Sequence, residues 1–356
     1  MENWDANKPN NGLAFLPPKN FSLTPEQNEL LLEVVGLLAR LDEAADLLAN
    51  PSVFNNALPM LEVAASSAIE NIITTHDEMF IANVNTTQTI SPETVMAMRN
   101  RAALNLGFET ISRRPLSIRL LVDVASELIG HPVAVRHFPG TYIGSPSARI
   151  YTPPEGKELL EKLLGNLVSF IETSTLNPVV KMILAHYQFE AIHPFPDGNG
   201  RTGRVLNHLI LKQGELLKSP VLNLSSYLVR NRDEYYQRIH GVETSGDWAA
   251  WVSFMLEAML DSVKDSYGKL KSLTLAQLHF SEANTAVLGK FVTEITQLLF
   301  EKPYCQIGHV VQRLGVSRPT ASKLLEALVG AGALTSFVSG KEKFFVNHKM
   351  LEVLAK

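Results

Sequence analysis

Twelve consecutive residues of this chain combine side chains that are suited to phosphate chemistry. They are His193-Pro194-Phe195-Pro196-Asp197-Gly198-Asn199-Gly200-Arg201-Thr202-Gly203-Arg204. The histidine is the only group among them that can accept a proton near neutral pH. The aspartate offers a hard oxygen to a magnesium ion, and the glycines let backbone N–H groups approach an anion closely. The two arginines lie three residues apart, so on a helix they share a face and can hold phosphate oxygens together.

Helices are predicted on both sides of this stretch. Apolar residues recur with helical spacing over 179–192, and Pro194 disfavours the α conformation at His193, so the first helix must end there. Helical spacing resumes at Val205. The glycines at positions 198 and 200 therefore form a tight loop that leads into a helix N-terminus, which is a natural anion site.

Each of these features has an ordinary structural explanation when it is taken alone. A His-Pro pair is commonly structural, a single Gly-x-Gly is a weak signal, and arginines near a helix start can form salt bridges with neighbouring residues. A base, a carboxylate, a glycine loop and two arginines within one short stretch favour a functional site.

The stretch resembles the signature of the Fic family, His-Pro-Phe-x-Asp-Gly-Asn-Gly-Arg-x-x-Arg, and matches its nine fixed positions. Pro196, Thr202 and Gly203 occupy the variable positions. The resemblance implies an enzyme that transfers the AMP moiety of ATP to Ser, Thr or Tyr hydroxyls of target proteins, itself included, and releases diphosphate. Relatives that transfer phosphate or phosphocholine are an alternative, but the phosphate-transferring ones depart from the signature at Gly200 and Arg201, which are intact here.

The resemblance also implies a role for individual residues. His193 is expected to be the general base, Asp197 the ligand of Mg²⁺, and Arg201 and Arg204 the catalytic arginines on the outer phosphates. The glycine loop is expected to form the phosphate nest. The implied ATP site consists of Glu70, His193, Gly198, Asn199, Gly200, Arg201, Thr202, Gly203, Arg204 and Tyr236.

A second motif lies upstream, at Ser66-Ser67-Ala68-Ile69-Glu70-Asn71. It is similar to the family's inhibitory motif, in which Ser or Thr is followed after three residues by Glu and then by Gly or Asn. In such proteins a helix lies against the ATP site, and its glutamate pairs with the second signature arginine. The resemblance therefore implies that Ser66, Glu70 and Asn71 are inhibitory residues. A solvent-exposed glutamate on an amphipathic helix is the ordinary alternative.

Two further segments are assigned to the same site. Residues 133–137 and 149–151 are compatible with β structure, and they flank a Gly- and Pro-rich turn at 144–146, which predicts a hairpin. The segment from Thr141 to Tyr151 resembles the family's flap, which binds an extended part of the target by β-augmentation. Tyr235 and Tyr236 point to different faces of one helix, and Tyr236 is the preferred nucleotide contact.

Composition restricts the class of protein. The chain has 356 residues, 46% of them hydrophobic, a net charge of -4 and one cysteine. These values are typical of an ordinary globular protein with two or three domains, and they exclude a disulfide scaffold or a cysteine-based zinc module. The sequence shows no secretory signal and no long apolar run, so we expect a soluble, cytoplasmic protein without a membrane partner.

The last 56 residues differ from the rest in charge, with eight Lys and Arg against four Asp and Glu over 301–356. Their pattern predicts helix, turn, helix and hairpin, which resembles a winged helix-turn-helix. In a DNA-binding version, base or phosphate contacts would come from Arg318, Thr320, Ser322, Lys323 and Lys341. Winged helices also serve in protein docking and dimerisation, so DNA and a second copy of the chain are both open as partners.

The sequence thus predicts a mainly α protein, with a Fic-type helical bundle, a small β-hairpin flap and a C-terminal winged helix-turn-helix. The predicted domains are an N-terminal arm and helical region with the inhibitory helix (1–110), a Fic catalytic core (111–265), linking helices (266–300) and the winged helix-turn-helix (301–356). A DNA-binding regulator with a nucleotide-sensing domain is the alternative function. Such a sensor needs no base at His193, whereas a transferase does.

Overall fold

The computed structural model describes residues 5–46, 52–84, 90–145, 148–339 and 342–355. Within these ranges most residues are helical, which confirms the predicted class. The helices are α1 (Pro25–Asp46), α2 (Ser52–Ile69), α3 (His76–Val84), α4 (Pro92–Ile111), α5 (Ile118–Ile129), α6 (Lys157–Thr173), α7 (Pro178–Ile192), α8 (Asn199–Gln213), α9 (Leu224–Arg230), α10 (Arg232–Ser245), α11 (Trp248–Leu288), α12 (Val292–Glu301), α13 (Ile307–Leu314), α14 (Arg318–Gly330) and α15 (His348–Ala355). The strands are β1 (Ile143–Ser145), β2 (Ala148–Tyr151), β3 (Tyr304–Gln306), β4 (Thr335–Ser339) and β5 (Glu342–Val346).

The central helix of the bundle is α7. It begins with Asn177 as N-cap, whose side chain accepts a hydrogen bond from the N–H of Val179, and with proline at the first helical position. Nearly all of its residues are buried, because it packs against α6, α8 and α11. A helix that is apolar all round belongs in a core. The residue that follows α7 is therefore held by a rigid element.

The long helix α11 joins the bundle to the C-terminal part of the chain. It has 41 residues, which corresponds to roughly 60 Å at 1.5 Å per residue. Trp251 and Phe254 near its start are buried, as the sequence predicts, and further along it packs against α12, α14 and α15. The predicted division between residues 265 and 266 falls inside this helix. This one helix thus links the region that contains the signature to the basic C-terminal region.

The hairpin forms, but its first strand is not where the residue pattern placed it. β1 and β2 pair antiparallel, within the segment that resembles the flap. The segment 133–137 is not a strand. Its backbone hydrogen bonds go elsewhere, because Val133 N–H donates to Oγ of Ser126 and Arg136 N–H donates to the carbonyl of Pro194. The predicted turn residue Pro146 lies outside the described residues.

The C-terminal part contains the predicted helix pair and hairpin, together with a strand that the sequence did not reveal. Ser317 caps α14 through its hydroxyl, which accepts from the N–H of Thr320. β4 and β5 pair antiparallel, and β3 completes a three-stranded sheet in the order β3-β5-β4. Arg318, Thr320 and Lys323 are exposed and Ser322 is half-buried. Lys341 lies outside the described residues.

The chain before α1 lies on the body as an extended arm. The N–H of Asn10 donates to the carbonyl of Thr152, just after β2, and the hydroxyl of Thr152 donates to the carbonyl of Ala6. The backbone of Leu16 exchanges two hydrogen bonds with the side chain of Asn166 on α6. In the described part of the chain, no helix combines the length and apolarity needed to cross a bilayer.

Candidate functional site

His193 is the first residue after α7, and its backbone is left-handed, with φ 48° and ψ 59°. Its N–H still donates to the carbonyl of Phe189, at 3.0 Å, so the residue acts as the cap of the helix. Burial, together with the positive charge of Arg136, lowers the pKa of His193 to about 4, against the raising effects of a hydrogen bond to the backbone of Glu190 and of the charges of Glu70 and Asp197. The imidazole is therefore neutral near pH 7. A neutral imidazole is the form that can accept a proton.

Asn199 closes the loop between α7 and α8. Its side-chain oxygen accepts from the N–H of Phe195 and its side-chain amide donates to the carbonyl of Phe195, both at 2.8 Å. The side chain is buried and both of its polar atoms take part in these two bonds, so Asn199 holds the loop closed. Gly198 precedes it with φ 71°, and a Cβ there would lie 2.8 Å from Cδ2 of Leu128. Only glycine fits that position without a clash.

The mouth of α8 is filled by a carboxylate of the chain itself. A Cβ atom added at Gly200 would lie 2.2 Å from Oε1 of Glu70, so this oxygen stands directly over the first turn of the helix. The N-terminus of a helix attracts anions through its free N–H groups and its dipole. The Glu70 carboxylate therefore lies where a phosphate group would otherwise bind.

The same carboxylate holds the second signature arginine. Nη2 of Arg204 donates to Oε1 of Glu70 at 2.9 Å and to the carbonyl of Ser66 at 2.8 Å, and Nε donates to Oγ of Ser66 at 2.8 Å. The Arg204 side chain is 2% exposed and that of Glu70 is 35% exposed. Burial alone raises the pKa of Glu70, but the charge and hydrogen bond of Arg204 outweigh it and lower the pKa below its usual range. The pair thus stays charged at neutral and mildly acidic pH.

Glu70 is placed by the way α2 ends. The last helical residue is Ile69, and the N–H groups of Asn71 and Ile72 donate to the carbonyls of Ala68 and Ser67. These two hydrogen bonds form a Schellman motif, which requires a left-handed residue after the helix. Asn71 is that residue, with φ 59°. Asparagine and glycine are the residues that adopt this conformation most easily. The role of Asn71 is thus to turn the chain so that Glu70 faces α8.

A second buried contact joins the same two helices one turn further along α8. Oε1 of Glu62 lies 3.4 Å from Nε2 of His208, and Oε2 accepts from the N–H of Ser225 at 2.9 Å. Residues 62, 66 and 70 are spaced by four and share one face of α2, as Arg204 and His208 do on α8. The helix α2 is therefore fixed to α8 by polar contacts at Arg204 and His208, in antiparallel order.

Replacing Glu62 by glutamine is expected to weaken this attachment. An amide cannot accept all of the hydrogen bonds that the carboxylate accepts, so the free energy of unfolding should fall by about 1–3 kcal/mol, as measured by urea denaturation. Burial raises the pKa of Glu62, yet His208 and Ser225 bring it below its ordinary value. The stabilisation by Glu62 is therefore fully present above the ordinary pKa of a glutamate, and it is lost as the pH falls through the lowered pKa of Glu62 in the folded protein. The difference in the free energy of unfolding between the wild type and the Glu62→Gln protein should therefore shrink in acid.

The matched control for this change is Glu282→Gln on α11, since Glu282 is exposed. It should leave the free energy of unfolding within about 0.5 kcal/mol of the wild type. Equal stability of the Glu62→Gln and Glu282→Gln proteins at neutral pH would contradict the importance of the second contact.

Tyr236 is accessible beside the site. Its side chain is 41% exposed, and the guanidinium of Arg232 lies 5.7 Å from its ring centre. Tyr235 is buried, with its hydroxyl 2.8 Å from Nε2 of His186. Burial lowers the pKa of His186 to about 3, so this histidine is a neutral core residue. Of the two tyrosines, Tyr236 is the one available to a ligand.

The remaining signature residues differ in what they can contact. Arg201 is 5% exposed, and its Nη2 lies 3.9 Å from the carboxylate of Asp197. Thr202 is fully buried, and a Cβ at Gly203 would lie 2.3 Å from Oε1 of Glu190 on α7. Gly203 thus permits close packing of α7 and α8. It faces α7 rather than the glycine loop at the start of α8.

Asp197 is the residue best suited to hold a magnesium ion. Its side chain is 78% exposed at the loop, and its only described ion pair is the long one with Arg201. Among the described residues no group of three or more His, Cys, Asp or Glu side chains could hold a metal ion. One carboxylate supplemented by substrate phosphates is an arrangement that Mg²⁺ commonly adopts. The residues present therefore fit a magnesium ion that binds together with a nucleotide.

Sequence reasoning missed three parts of the site. Arg136 lies in the segment 133–137, for which the sequence predicts β structure, yet its buried guanidinium contacts the carbonyl of His193. Glu190 lies three residues before His193, and burial raises its pKa to about 7. Glu62 lies eight residues before Glu70. A charged residue at an otherwise apolar helix position was the available signal for both glutamates.

Comparisons with known proteins concern the family and the fold. Three family models match consecutive parts of the chain: Fic/DOC family N-terminal at 35–109, Fic/DOC family at 115–211, and the C-terminal domain of SoFic-like protein adenylyltransferases at 275–350. The chain therefore contains a Fic/DOC family domain, together with the family's N-terminal domain and a SoFic-like C-terminal domain, which confirms the resemblance of the signature.

Named relatives share part of the sequence. The protein adenylyltransferase fic-1 of Caenorhabditis briggsae is 27% identical over 198 residues, which are 54% of this chain and 36% of the relative. A probable protein adenylyltransferase of Aquifex aeolicus is 37% identical over 84 residues, which are 23% of this chain and 26% of the relative. The chain therefore spans well under half the length of these curated relatives.

The fold is shared over nearly the whole chain with a solved structure. A Fic family protein from Desulfovibrio desulfuricans G20 superposes with a TM-score of 0.61 at 22% identity, covering 93% of this chain and 98% of that one. At this identity the likeness concerns the fold.

Proposed function

We propose that this protein transfers the AMP moiety of ATP to serine, threonine or tyrosine hydroxyls of proteins, its own included, and that Glu70 restrains this activity. The single observation that carries the proposal is the hydrogen bond of 2.9 Å between Glu70 and Arg204 above a complete signature loop. A carboxylate at this point is meaningful because it holds the arginine and covers the helix N-terminus that a triphosphate needs.

The proposed reaction begins with the substrate hydroxyl. The hydroxyl gives its proton to His193, its oxygen forms a bond to the α-phosphorus of ATP, and the bond from that phosphorus to the bridging oxygen breaks, so that diphosphate leaves. The carboxylates of Glu70 and Asp197 raise the pKa of His193. A bound triphosphate would act in the same direction and bring the pKa nearer to neutral, where a general base is most effective.

The phosphates are held by the loop and the arginines. The free N–H groups at the start of α8 and the guanidinium groups of Arg201 and Arg204 supply positive charge where the negative charge of diphosphate develops. Such preorganised charge is the main source of catalysis in phosphoryl-type transfer. A magnesium ion at Asp197 would neutralise phosphate charge and fix the phosphates in place.

The proposed inhibition follows from competition for Arg204. While this guanidinium is bonded to Glu70 and Ser66, it cannot grip the γ-phosphate, and the Glu70 carboxylate repels that phosphate from the mouth of α8. ATP then binds in a position from which the α-phosphorus is not in line with the incoming hydroxyl. Movement of Glu70 frees both the arginine and the anion site.

The flap is the proposed docking site for the target. Its two strands pair only with each other among the described residues, so an outer strand edge is open to an extended peptide. Ile150 on β2 is 54% exposed, and the guanidinium of Arg149 lies 4.7 Å from the ring centre of Tyr142. These side chains can contact residues that flank the modified hydroxyl.

The C-terminal region is the proposed winged helix-turn-helix. The exposed start of α14, with Arg318, Thr320 and Lys323, supports DNA binding as an alternative function. Three basic residues of the region are paired, Arg313 with Glu301, Lys343 with Glu326 and Lys349 with Glu352, which reduces its positive field. A nucleotide-sensing DNA-binding protein would not need His193, so loss of function at that residue separates the two functions.

The transferred group can be identified with two forms of labelled ATP. We expect the Glu70→Gly protein with Mg²⁺ to become labelled by ATP that carries the label on the α-phosphate. Label on the γ-phosphate should stay in solution as diphosphate. The intact mass of the modified protein should rise by one AMP moiety per site. Transfer of the γ-label to protein would refute AMP transfer and indicate a phosphotransferase.

A further inference from the structure

A buried arginine outside the signature contacts the backbone where α7 ends and the backbone just after the flap. Nε of Arg136 donates to the carbonyl of His193 at 2.7 Å, and Nη2 donates to the carbonyls of Ile192 at 3.1 Å and Pro154 at 2.6 Å. Its backbone N–H donates to the carbonyl of Pro194 at 2.9 Å. Arg136 is 5% exposed, and none of these partners is a carboxylate.

These contacts suit the end of a helix. The last carbonyls of α7 have no partner within the helix and carry the negative end of its dipole, so a guanidinium there is stabilised by both. His193 is left-handed, a conformation that is unfavourable for a residue with a side chain. The bonds from Arg136 to the carbonyls of His193 and Pro194 hold the backbone in that conformation.

The third carbonyl connects the loop to the flap. Pro154 follows β2 by three residues, and on the same side the hydroxyl of Tyr151 donates to the carbonyl of Ala191 at 3.0 Å. The base of the flap is thus tied to the end of α7 by two side chains. Arg136 is the one that contacts both the flap base and the residue that carries the imidazole.

We propose that Arg136 is a positioning residue that fixes the imidazole of His193 relative to the flap, so that a hydroxyl on a flap-bound peptide meets the base in the correct geometry. This inference rests on the proposed function. It predicts a loss in the rate of transfer rather than in the binding of ATP, because none of the described contacts of Arg136 is with the arginines or the start of α8. A misplacement of about 1 Å can cost on the order of 100-fold in rate.

The test uses Arg136→Gln and Arg136→Lys in the Glu70→Gly protein. We expect kcat for transfer of AMP to fall by about 10- to 100-fold in both variants, with the KM for ATP changed by less than about threefold. Lysine should not restore the rate, because a single ammonium group cannot reproduce the fork that spans the three carbonyls. Free guanidinium at low, non-denaturing concentration should partly restore the rate of an Arg136→Ala variant.

A second readout does not depend on activity. The histidine NMR signals of His193 should titrate at higher pH in the Arg136→Gln protein than in the wild type, because the charge of Arg136 lowers the pKa of His193 while Glu70 and Asp197, which raise it, are unchanged. Burial remains in both proteins, so the pKa should rise from about 4 without reaching its ordinary value of about 6.5.

The control is Arg101→Gln on α4, since Arg101 is also partly buried and bonded to two neutral groups, Asn83 and Asn56, away from the site. It should leave the rate unchanged.

Rates within about twofold of the parent for both Arg136 variants, or a parallel loss of ATP binding and thermal stability, would overturn the inference. Absence of AMP transfer by the Glu70→Gly parent would instead overturn the proposed function, and an unshifted His193 titration would still overturn the role of Arg136 separately.

Discussion

Replacing Glu70 by glycine is expected to raise AMP transfer by about 10- to 100-fold. The carboxylate accepts a charge-assisted hydrogen bond from a buried arginine, and such bonds contribute about 1.5–3 kcal/mol, which corresponds to that range of rates if the bond must be broken before transfer. The Glu70→Gly change also removes the carboxylate oxygen Oε1, which lies 2.2 Å from where a Cβ atom on residue 200 would be. The rate is measured as incorporation of α-labelled ATP into the purified protein with Mg²⁺.

Two variants make this result specific. Glu70→Gln keeps the size of the side chain and one acceptor but loses the charge, so its rate should lie between those of the wild type and the glycine variant. Glu215→Gly is the matched control, because Glu215 is exposed, follows α8 and has φ 58°, a conformation that glycine adopts freely. Equal rates for the Glu70→Gly and Glu215→Gly proteins would contradict autoinhibition.

Replacing His193 by alanine in the Glu70→Gly protein is expected to reduce AMP transfer by about 100- to 10,000-fold, the usual contribution of a general base. The imidazole is neutral at pH 7 and lies at the exit of α7, next to the anion site. Alanine removes the proton acceptor without touching the arginines, so the affinity for ATP, measured by calorimetry, should change by less than about threefold.

His279→Ala is the control for this substitution, because His279 is exposed on α11. It should transfer AMP at the rate of the Glu70→Gly parent. If the His193→Ala protein keeps that rate, the imidazole is not the base, and a nucleotide-sensing protein becomes the better description. If it loses ATP affinity in parallel, His193 serves binding rather than proton transfer.

The parts of the site that the sequence revealed are those fixed by local rules. Pro194 ends α7 at His193, and Gly198 permits a left-handed turn into α8, so the loop between two helices follows from neighbouring residues alone. Once the family resemblance supplies the partner, the pairing of Glu70 with Arg204 follows as well.

The parts that the sequence did not reveal depend on contacts between distant residues. Val133 and Val135 alternate with polar or small residues as in a strand. The segment nevertheless does not pair as a strand, because Arg136 forms hydrogen bonds with a loop 57 positions away in sequence. The third strand, Tyr304–Gln306, is three residues long and becomes a strand only by pairing with β5. No local pattern specifies such partners, because periodicity describes which face is apolar and not what covers it.

The most direct test of the central claim is one labelling assay with α-labelled ATP and Mg²⁺ on three purified proteins: wild type, Glu70→Gly, and Glu70→Gly combined with His193→Ala. We predict weak labelling of the first, strong labelling of the second and background labelling of the third. Labelling of equal strength in all three proteins would contradict both the restraint by Glu70 and the role of His193 as the base.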